Sequence, residues 1–256
     1  MSGPWELLNR IAAAETAETV WSLAVAHFAS CGFARANYGM TRFRKAGNMG
    51  SPDDAVYLTS FPPDYGQFYF RGGFYARTAL YRWALENRGT CSWRWVEDRL
   101  RAGLLPPEEA QAVQRNAEWG LRAGITISFP DPTAHQRAAM GLAADTGLDH
   151  DAVDAIWARE GAALLAVANM MHLRLCQLPL PVRRPQLSQR QREALQWVAE
   201  GKTTQDIAAL MGVSAAMVEK HLRLARQVLD VESSAQAVAK ATLLNQIFRG
   251  DEVRNS

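Results

Sequence analysis

Glu200-Gly201-Lys202-Thr203-Thr204-Gln205-Asp206-Ile207-Ala208, followed by Met211-Gly212-Val213-Ser214, is the stretch that decides how the C-terminal part of the chain folds. Upstream, Leu187 precedes Ser188 and Gln191 stands three residues on, the spacing of a capping box. Leu195 and Val198 recur at helical spacing, and Gly201 stops that helix. Thr203 is expected to cap a second, short helix whose Ile207 and Leu210 face inward. Met211-Gly212-Val213 reads as a tight turn, and Ser214 caps a third helix reaching about Leu229. Val218, Leu222, Ala225 and Leu229 form the apolar stripe of that helix, while Lys220, Arg223 and Arg226 give it a basic outer face. A short helix, a turn and a helix with such a face is the geometry that sets a helix into a major groove. A small helical bundle without a nucleic-acid role meets the same periodicity, so spacing alone leaves both readings open.

A length of 256 residues suits one larger domain plus a small one. At 48% hydrophobic and 21% charged residues, the chain is globular rather than disordered. The net charge of +2 supplies no basic field over the whole protein, so contact with nucleic acid has to rest on a local face. Residues 186–256 themselves carry nearly balanced charges, which implies weak DNA binding by one copy and calls for a dimer on two half-sites. Cys31, Cys91 and Cys176 are odd in number and far apart, which points to reduced thiols rather than a disulfide framework or a metal knuckle. No basic-then-apolar leader opens the chain and no apolar run is long enough to span a bilayer, so a cytoplasmic protein away from the membrane is expected. Seven of the eight tryptophans precede residue 177; only Trp197 lies beyond it, which hints at an aromatic core or cavity in the first domain.

Read in order, residues 5–11 and 17–30 are expected to be helices and 33–43 and 55–60 strands, with a turn-rich hairpin loop over 45–52. Pro62-Pro63 opens a helix through Phe70, and Thr78 starts another that ends near Gly89. Residues 91–96 read as a short aromatic strand, and Pro106-Pro107 opens the next helix. Residues 124–129 and 136–143 alternate as strands joined across Pro130-Asp131-Pro132-Thr133, before a long helix over 149–176. The apolar stripe of that helix serves core packing or a dimer seam. Helices at both ends of about five strands predict an α+β chain. Its N-terminal part is an α/β/α sandwich with an antiparallel sheet, and its C-terminal part an all-α four-helix helix-turn-helix domain. The domains are residues 1–176 and 187–256, joined by a linker over 177–186 that Pro179, Pro181 and Pro185 make extended. Arg183 and Arg184 in that linker are either solvated or in reach of phosphate.

Within the first domain, Tyr65 and Tyr69 stand one helical turn apart, with Phe74, Thr78 and Trp93 following. Apolar rings with a few polar tips suit a small-molecule pocket, and they equally suit an aromatic core. Ile125 and Ile127 are the candidate wall on the later strand. Glu118, Asp131 and His135 show no spacing that would make an acid–base set, so the chain is not expected to be an enzyme. Residues 1–176 also lack the alternating β/α pattern with strand-end aspartates that a phosphorylated receiver needs.

The order of residues resolves the first ambiguity. Leu-Ser-x-Arg-x-x-Glu-x-Leu from Leu187, Gly201-Lys-Thr, Asp206-Ile-Ala-x-x-Met-Gly-Val-Ser, Val218-x-x-His-Leu and Gln236-Ala-Val-Ala-Lys-Ala together resemble the DNA-binding domain of the LuxR family. That resemblance implies a four-helix unit whose third helix reads a promoter operator and whose fourth, from about Ser233, helps two copies pair. It places Lys220, Arg223 and Arg226 on DNA, with Lys202, Thr203 and Thr204 near phosphate at a helix N-terminus. Met217, Val228 and Ser234 stand where the family usually has Thr, Lys and Arg, which removes two cations.

Residues 10–175 resemble, more loosely, the signal-binding domain of LuxR-type quorum-sensing regulators, which bind N-acyl homoserine lactones. The family pattern is Trp-x-x-x-Tyr, then Asp-Pro, then Trp; here Tyr65, Tyr69, Thr78-Ala79 and Trp93 occupy those places, and Gly120-Leu-x-x-Gly124 also fits. In the family that tryptophan donates to the lactone carbonyl, that tyrosine donates to the acyl carbonyl, and the aspartate accepts from the amide N–H. Thr78 is short and neutral, so ordinary acyl homoserine lactones are expected to bind poorly, and the pocket either takes a different small molecule or is filled by its own side chains. The expected protein is therefore a homodimeric regulator of transcription on double-stranded DNA with no cofactor. The alternative is an anti-activator that forms inactive heterodimers with a related regulator and binds DNA poorly.

Overall fold

A computed structural model describes residues 4–44, 50–130, 133, 135–179 and 185–248. The expected hairpin loop at 45–49, Asp131 and Pro132 of the strand joint, and Arg183 and Arg184 of the linker lie outside the described residues. The chain divides into two compact units, Met1–Cys176 and Gln177–Ser256.

The first unit is built on five strands: β1 (Arg35–Thr41), β2 (Val56–Thr59), β3 (Gly89–Ser92), β4 (Gly124–Ser128) and β5 (Arg137–Ala143). They form one sheet in the order β2-β1-β5-β4-β3, and every neighbouring pair is antiparallel. Successive side chains point to opposite faces of a strand, so each strand contributes to two different environments. On one face Tyr38, Met40, Ile125, Ile127, Met140 and Leu142 are buried. Helices α1 (Pro4–Ala13), α2 (Ala17–Ser30) and α7 (His150–Gln177) belong to this side. Thr16 caps α2 by accepting from the Thr19 N–H. The Tyr38 hydroxyl bonds His172 Nδ1 of α7 at 2.8 Å, and Phe129 stacks on the same imidazole with centroids 4.4 Å apart. Burial, with a lesser push from Arg42, lowers the His172 pKa to about 4, so the ring packs as a neutral group.

The opposite face is covered by α3 (Pro63–Gly66), α4 (Ala79–Glu86), α5 (Arg94–Arg101) and α6 (Pro107–Glu118). Sheet and helices thus make the α/β/α arrangement that the pattern of elements predicts. Two details differ from the expectation. The helix opened by Pro63 widens into a π-turn over Gln67–Arg71, where the Gly72 N–H reaches back to the Gln67 carbonyl at 2.8 Å. The strand expected over 91–96 is instead β3 followed by helix α5. Trp93 leaves the strand because its indole N–H donates to Thr126 of β4, and its own carbonyl accepts the Val96 and Glu97 N–H groups that start α5. Charged residues then space helically, with Glu97 and Arg101 paired at 3.0 Å and Arg99 lying over the Trp95 ring.

The second unit contains α8 (Gln189–Ala199), α9 (Thr204–Met211), α10 (Ala215–Leu229) and α11 (Ser234–Leu243). Ser188, Thr203 and Ser233 form capping boxes with Gln191, Asp206 and Gln236, and Ser214 caps α10. Ala194, Leu195, Ile207, Val218, Leu222, Ala225, Leu229, Ala237 and Ala241 are buried and make the core. Leu210 does not face inward as expected: it is 52% exposed, and Ile207, Ala208 and Met211 fill the interior in its place. Over eight residues the apolar arc of α9 passes through 207, 208 and 211, which share a face, whereas 210 falls beside it. The first part of the expected linker also packs: Leu178 is buried, and its carbonyl accepts from Asn245 Nδ2 at 2.8 Å.

Candidate functional site

The face of the sheet covered by α3, α4, α5 and α6 carries a cavity of about 150 Å³. Its floor is made of the short side chains that alternate with the core residues: Gly39 on β1, Thr126 on β4, and Ala139, Gly141 and Ala143 on β5. Small residues keep the helices off the sheet, and an apolar cavity of about this size accepts a benzene-sized guest. The walls are aromatic. Tyr65 stacks on Phe61 and on Tyr69, with centroids 4.3 and 5.2 Å away, and meets Trp119 edge-on at 5.3 Å. Gly124 admits Trp93 to the rim of the sheet: a Cβ there would stand 2.2 Å from the Leu142 carbonyl oxygen and 2.9 Å from the indole.

Of the residues expected in a pocket, Tyr65, Tyr69, Thr78 and Trp93 line this cavity and Phe74, Ile125 and Ile127 do not. Ile125 and Ile127 pair with Leu142 and Met140 and are buried on the other face of the sheet; strand alternation gives the cavity Thr126 instead. Phe74 packs behind the wall on Phe68 with centroids 4.3 Å apart. Asn37, Tyr57, Tyr75, Tyr81 and Asn116 also line the cavity, although sequence reasoning passed over them. The available signal was the Gly and Ala alternation of β5, which marks a floor but not what stands above it.

The polar tips are largely committed to each other. Trp93 Nε1 donates to Thr126 Oγ1 at 3.0 Å, and the Tyr65 hydroxyl accepts from Asn37 Nδ2 at 3.3 Å. Thr78 Oγ1 donates to the Tyr75 carbonyl at 2.8 Å and accepts from the Tyr81 N–H at 3.2 Å, as the N-cap of α4. Burial raises the Tyr69 phenol to about 12, a bond with Thr78 opposing it, and burial also raises Tyr81 to about 12 and carries Tyr65 far above the usual phenol range. The phenols are therefore neutral donors and acceptors at any physiological pH.

In the second unit, Lys202, Thr203, Thr204, Lys220 and Arg223 gather where α9 begins and along the outer side of α10. Lys220 and Arg223 are exposed, opposite the buried stripe of α10, and Arg223 donates to Gln227 on the same side at 3.3 Å. Thr203 Oγ1 donates to Asp206 Oδ2 at 2.7 Å, and Thr204 Oγ1 donates to Glu219 Oε1 at 3.0 Å. Both hydroxyls thus hold carboxylates, and the second joins α9 to α10. Arg226 is turned away from the outer face: it is half-buried and donates to Ser234 Oγ of α11 at 3.0 Å. The three cysteines are reduced thiols, and no helix of the described residues is long and apolar enough to cross a membrane.

A walled cavity on an antiparallel sheet, followed by a capped helix-turn-helix unit, is the build of a two-part bacterial transcriptional regulator. Residues 16–175 match the autoinducer binding domain, and residues 185–241 match the luxR family of bacterial regulatory proteins. The chain belongs to the LuxR family of quorum-sensing transcriptional regulators, which are DNA-binding proteins and not enzymes. It is 31% identical to the quorum sensing-dependent transcriptional regulator RpaR of Rhodopseudomonas palustris, over 86% of this chain and 84% of that one. It is 27% identical to the transcriptional activator TraR of Agrobacterium vitis, over 73% and 77% of the two chains. Among solved structures, Escherichia coli SdiA shares the fold with a TM-score of 0.53 at 17% identity, over 96% of this chain and 98% of that one. SdiA in complex with octanoyl-rac-glycerol matches with a TM-score of 0.54 at 19% identity, over 94% and 93%.

Proposed function

We propose that the protein is a dimeric LuxR-type regulator that binds a promoter operator, and whose cavity takes a neutral small molecule other than an ordinary acyl homoserine lactone. The observation carrying the ligand half is the state of Thr78. Its hydroxyl donates to the Tyr75 carbonyl and accepts from the Tyr81 N–H as a helix cap, so what remains is an uncharged lone pair and no counterpart to a carboxylate anchor. A charged acceptor is worth about 1.5–3 kcal/mol against about 0.5–1.5 for a neutral one, so its loss weakens an amide ligand by about tenfold. SdiA, which shares the fold, is seen in complex with octanoyl-rac-glycerol, a neutral acyl compound.

The DNA half rests on Lys220 and Arg223, exposed on the side of α10 away from its core. Two copies would set their α10 helices about 34 Å apart, one turn of duplex. Arg223→Ala should weaken binding to a promoter fragment by about tenfold in a gel-shift titration; unchanged binding would remove this face from contention. Native mass spectrometry of protein purified from its own host should show a dimer with a retained small molecule. A ligand-free species mixed with a second regulator would favour the other reading, an anti-activator acting through heterodimers. Arg226 supports that second reading, because its bond to Ser234 takes a cation off the outer face.

A further inference from the structure

Asn116 stands in the last turn of α6, and its backbone is held in place. Its carbonyl accepts from both the Trp119 and Leu121 N–H groups at 3.0 Å, and the Gly120 N–H closes on Ala117. This is the Schellman ending of a helix, and Gly120 takes the left-handed conformation it needs, at φ +78°. The side chain lines the main cavity and also a side recess of about 30 Å³ shared with Thr78, Val96 and Glu109. Asn116 Oδ1 is fully buried there and accepts no hydrogen bond from any described residue. Its neighbours are not available to it: Thr78 serves as the cap of α4, and Glu109 is paired with Arg82 at 2.7 and 2.9 Å. A buried carbonyl left without a donor costs about 1–3 kcal/mol, a cost that a bound donor would remove. Charge is scarce in the lining. Glu97 is paired with Arg101, and Arg122 is exposed.

We propose that Asn116 Oδ1 is the hydrogen-bond acceptor of this cavity, and that the site takes an uncharged ligand presenting an N–H or O–H toward the Thr78 recess. The acceptor then stands in the last turn of α6 on an uncharged side chain, and not at Thr78, the N-cap of α4. This inference rests on the reading of the cavity as the signal site, and it adds the residue that selects the ligand.

The test compares two probes: N-octanoyl homoserine lactone, which has an amide N–H, and its ester analogue with oxygen in place of that N–H. Both are titrated calorimetrically into the full chain, as wild type, Asn116→Leu and Asn116→Asp. Absolute affinities are expected to be weak; the amide-to-ester ratio is the readout. Wild type should prefer the amide by about five- to tenfold, the worth of one neutral hydrogen bond. Asn116→Leu should bring the two within about twofold while melting no lower than wild type, since it removes an unpaired polar atom. Asn116→Asp should keep or enlarge the preference. A preference that survives Asn116→Leu, or a wild type that never had one, overturns the assignment of Asn116 and leaves the cavity as the signal site. A large drop in melting temperature for Asn116→Leu also overturns it, because the amide would then have a structural partner. If neither probe binds wild type up to its solubility limit, the assignment of Asn116 as the acceptor for a ligand N–H fails, whereas the reading of the cavity as the site of a different neutral ligand is decided separately, by whether native mass spectrometry finds a retained small molecule.

Discussion

The two units use their hydroxyl and amide groups in opposite ways. In the C-terminal unit, Ser188, Thr203, Ser214 and Ser233 bond backbone three residues further along, and Lys220 and Arg223 of α10 are exposed on its outer face. In the N-terminal unit, interior polar groups also meet partners far away in the chain, as in Trp93 with Thr126 at the cavity and Tyr38 with His172 on the other face of the sheet. The first arrangement makes a surface whose chemistry is set by neighbours in sequence. The second makes an interior whose chemistry depends on which strand and helix come together. A substitution should therefore act locally in one unit and propagate in the other.

The largest effect should come from crowding the N-terminal interior. Gly124→Val places carbon against the Leu142 carbonyl and the Trp93 ring, where no flexible side-chain end can yield. A destabilisation of about 3 kcal/mol is expected, seen as a lower urea midpoint in the near-ultraviolet circular dichroism of tryptophan. Seven of the eight tryptophans lie in residues 1–176, so that signal reports this unit. An unchanged midpoint would show that the interior yields more easily than its packing implies.

Acid should discriminate between the units next. His172 is lowered to about 4 in the folded protein by burial, against an ordinary value near 6.5. Between those values the unfolded chain binds the extra proton, so the stability due to neutral His172 is fully present above about pH 6.5. It is lost as pH falls toward 4, an effect on the order of 2–3 kcal/mol. His172→Gln should flatten the pH dependence of the urea midpoint across that window; a curve parallel to wild type would break the assignment.

The smallest effect should be the local one. Thr203→Ala removes one half of a capping box and is expected to cost about 1 kcal/mol. Amide hydrogen exchange should quicken in the first turn of α9 and leave residues 1–176 untouched. Loss of protection in the sheet would contradict the division between the two kinds of polar group.

Legibility in the sequence follows the same line. The four helices from Gln189 onward were readable because each begins at a Ser or Thr whose partner is three residues away, a relation visible without the fold. Leu210 was misassigned because eight residues give a helix too short an apolar arc for periodicity to choose among neighbours. In the first unit, strand positions and the 28-residue helix α7 came from alternation and helical repeat. The turn of Trp93 into α5 did not, because it is Thr126, thirty-three residues later, that draws the indole aside. Tyr65, Tyr69, Thr78 and Trp93 were found through a family pattern, whereas Ile125 and Ile127 were placed on the wrong face, a matter of one residue of register.

The order of amino acids by itself determined the four C-terminal helices, most of the N-terminal helices and strands, and the family to which the chain belongs, since caps, periods and motif spacing are properties of neighbours along the chain. Only the tertiary structure decided that Thr78 is occupied, that Arg226 is turned toward Ser234, and that Asn116 carries an unpaired carbonyl into the cavity. Whether a polar atom is satisfied depends on groups brought within about 3 Å from elsewhere in the chain, and that distance is set by packing.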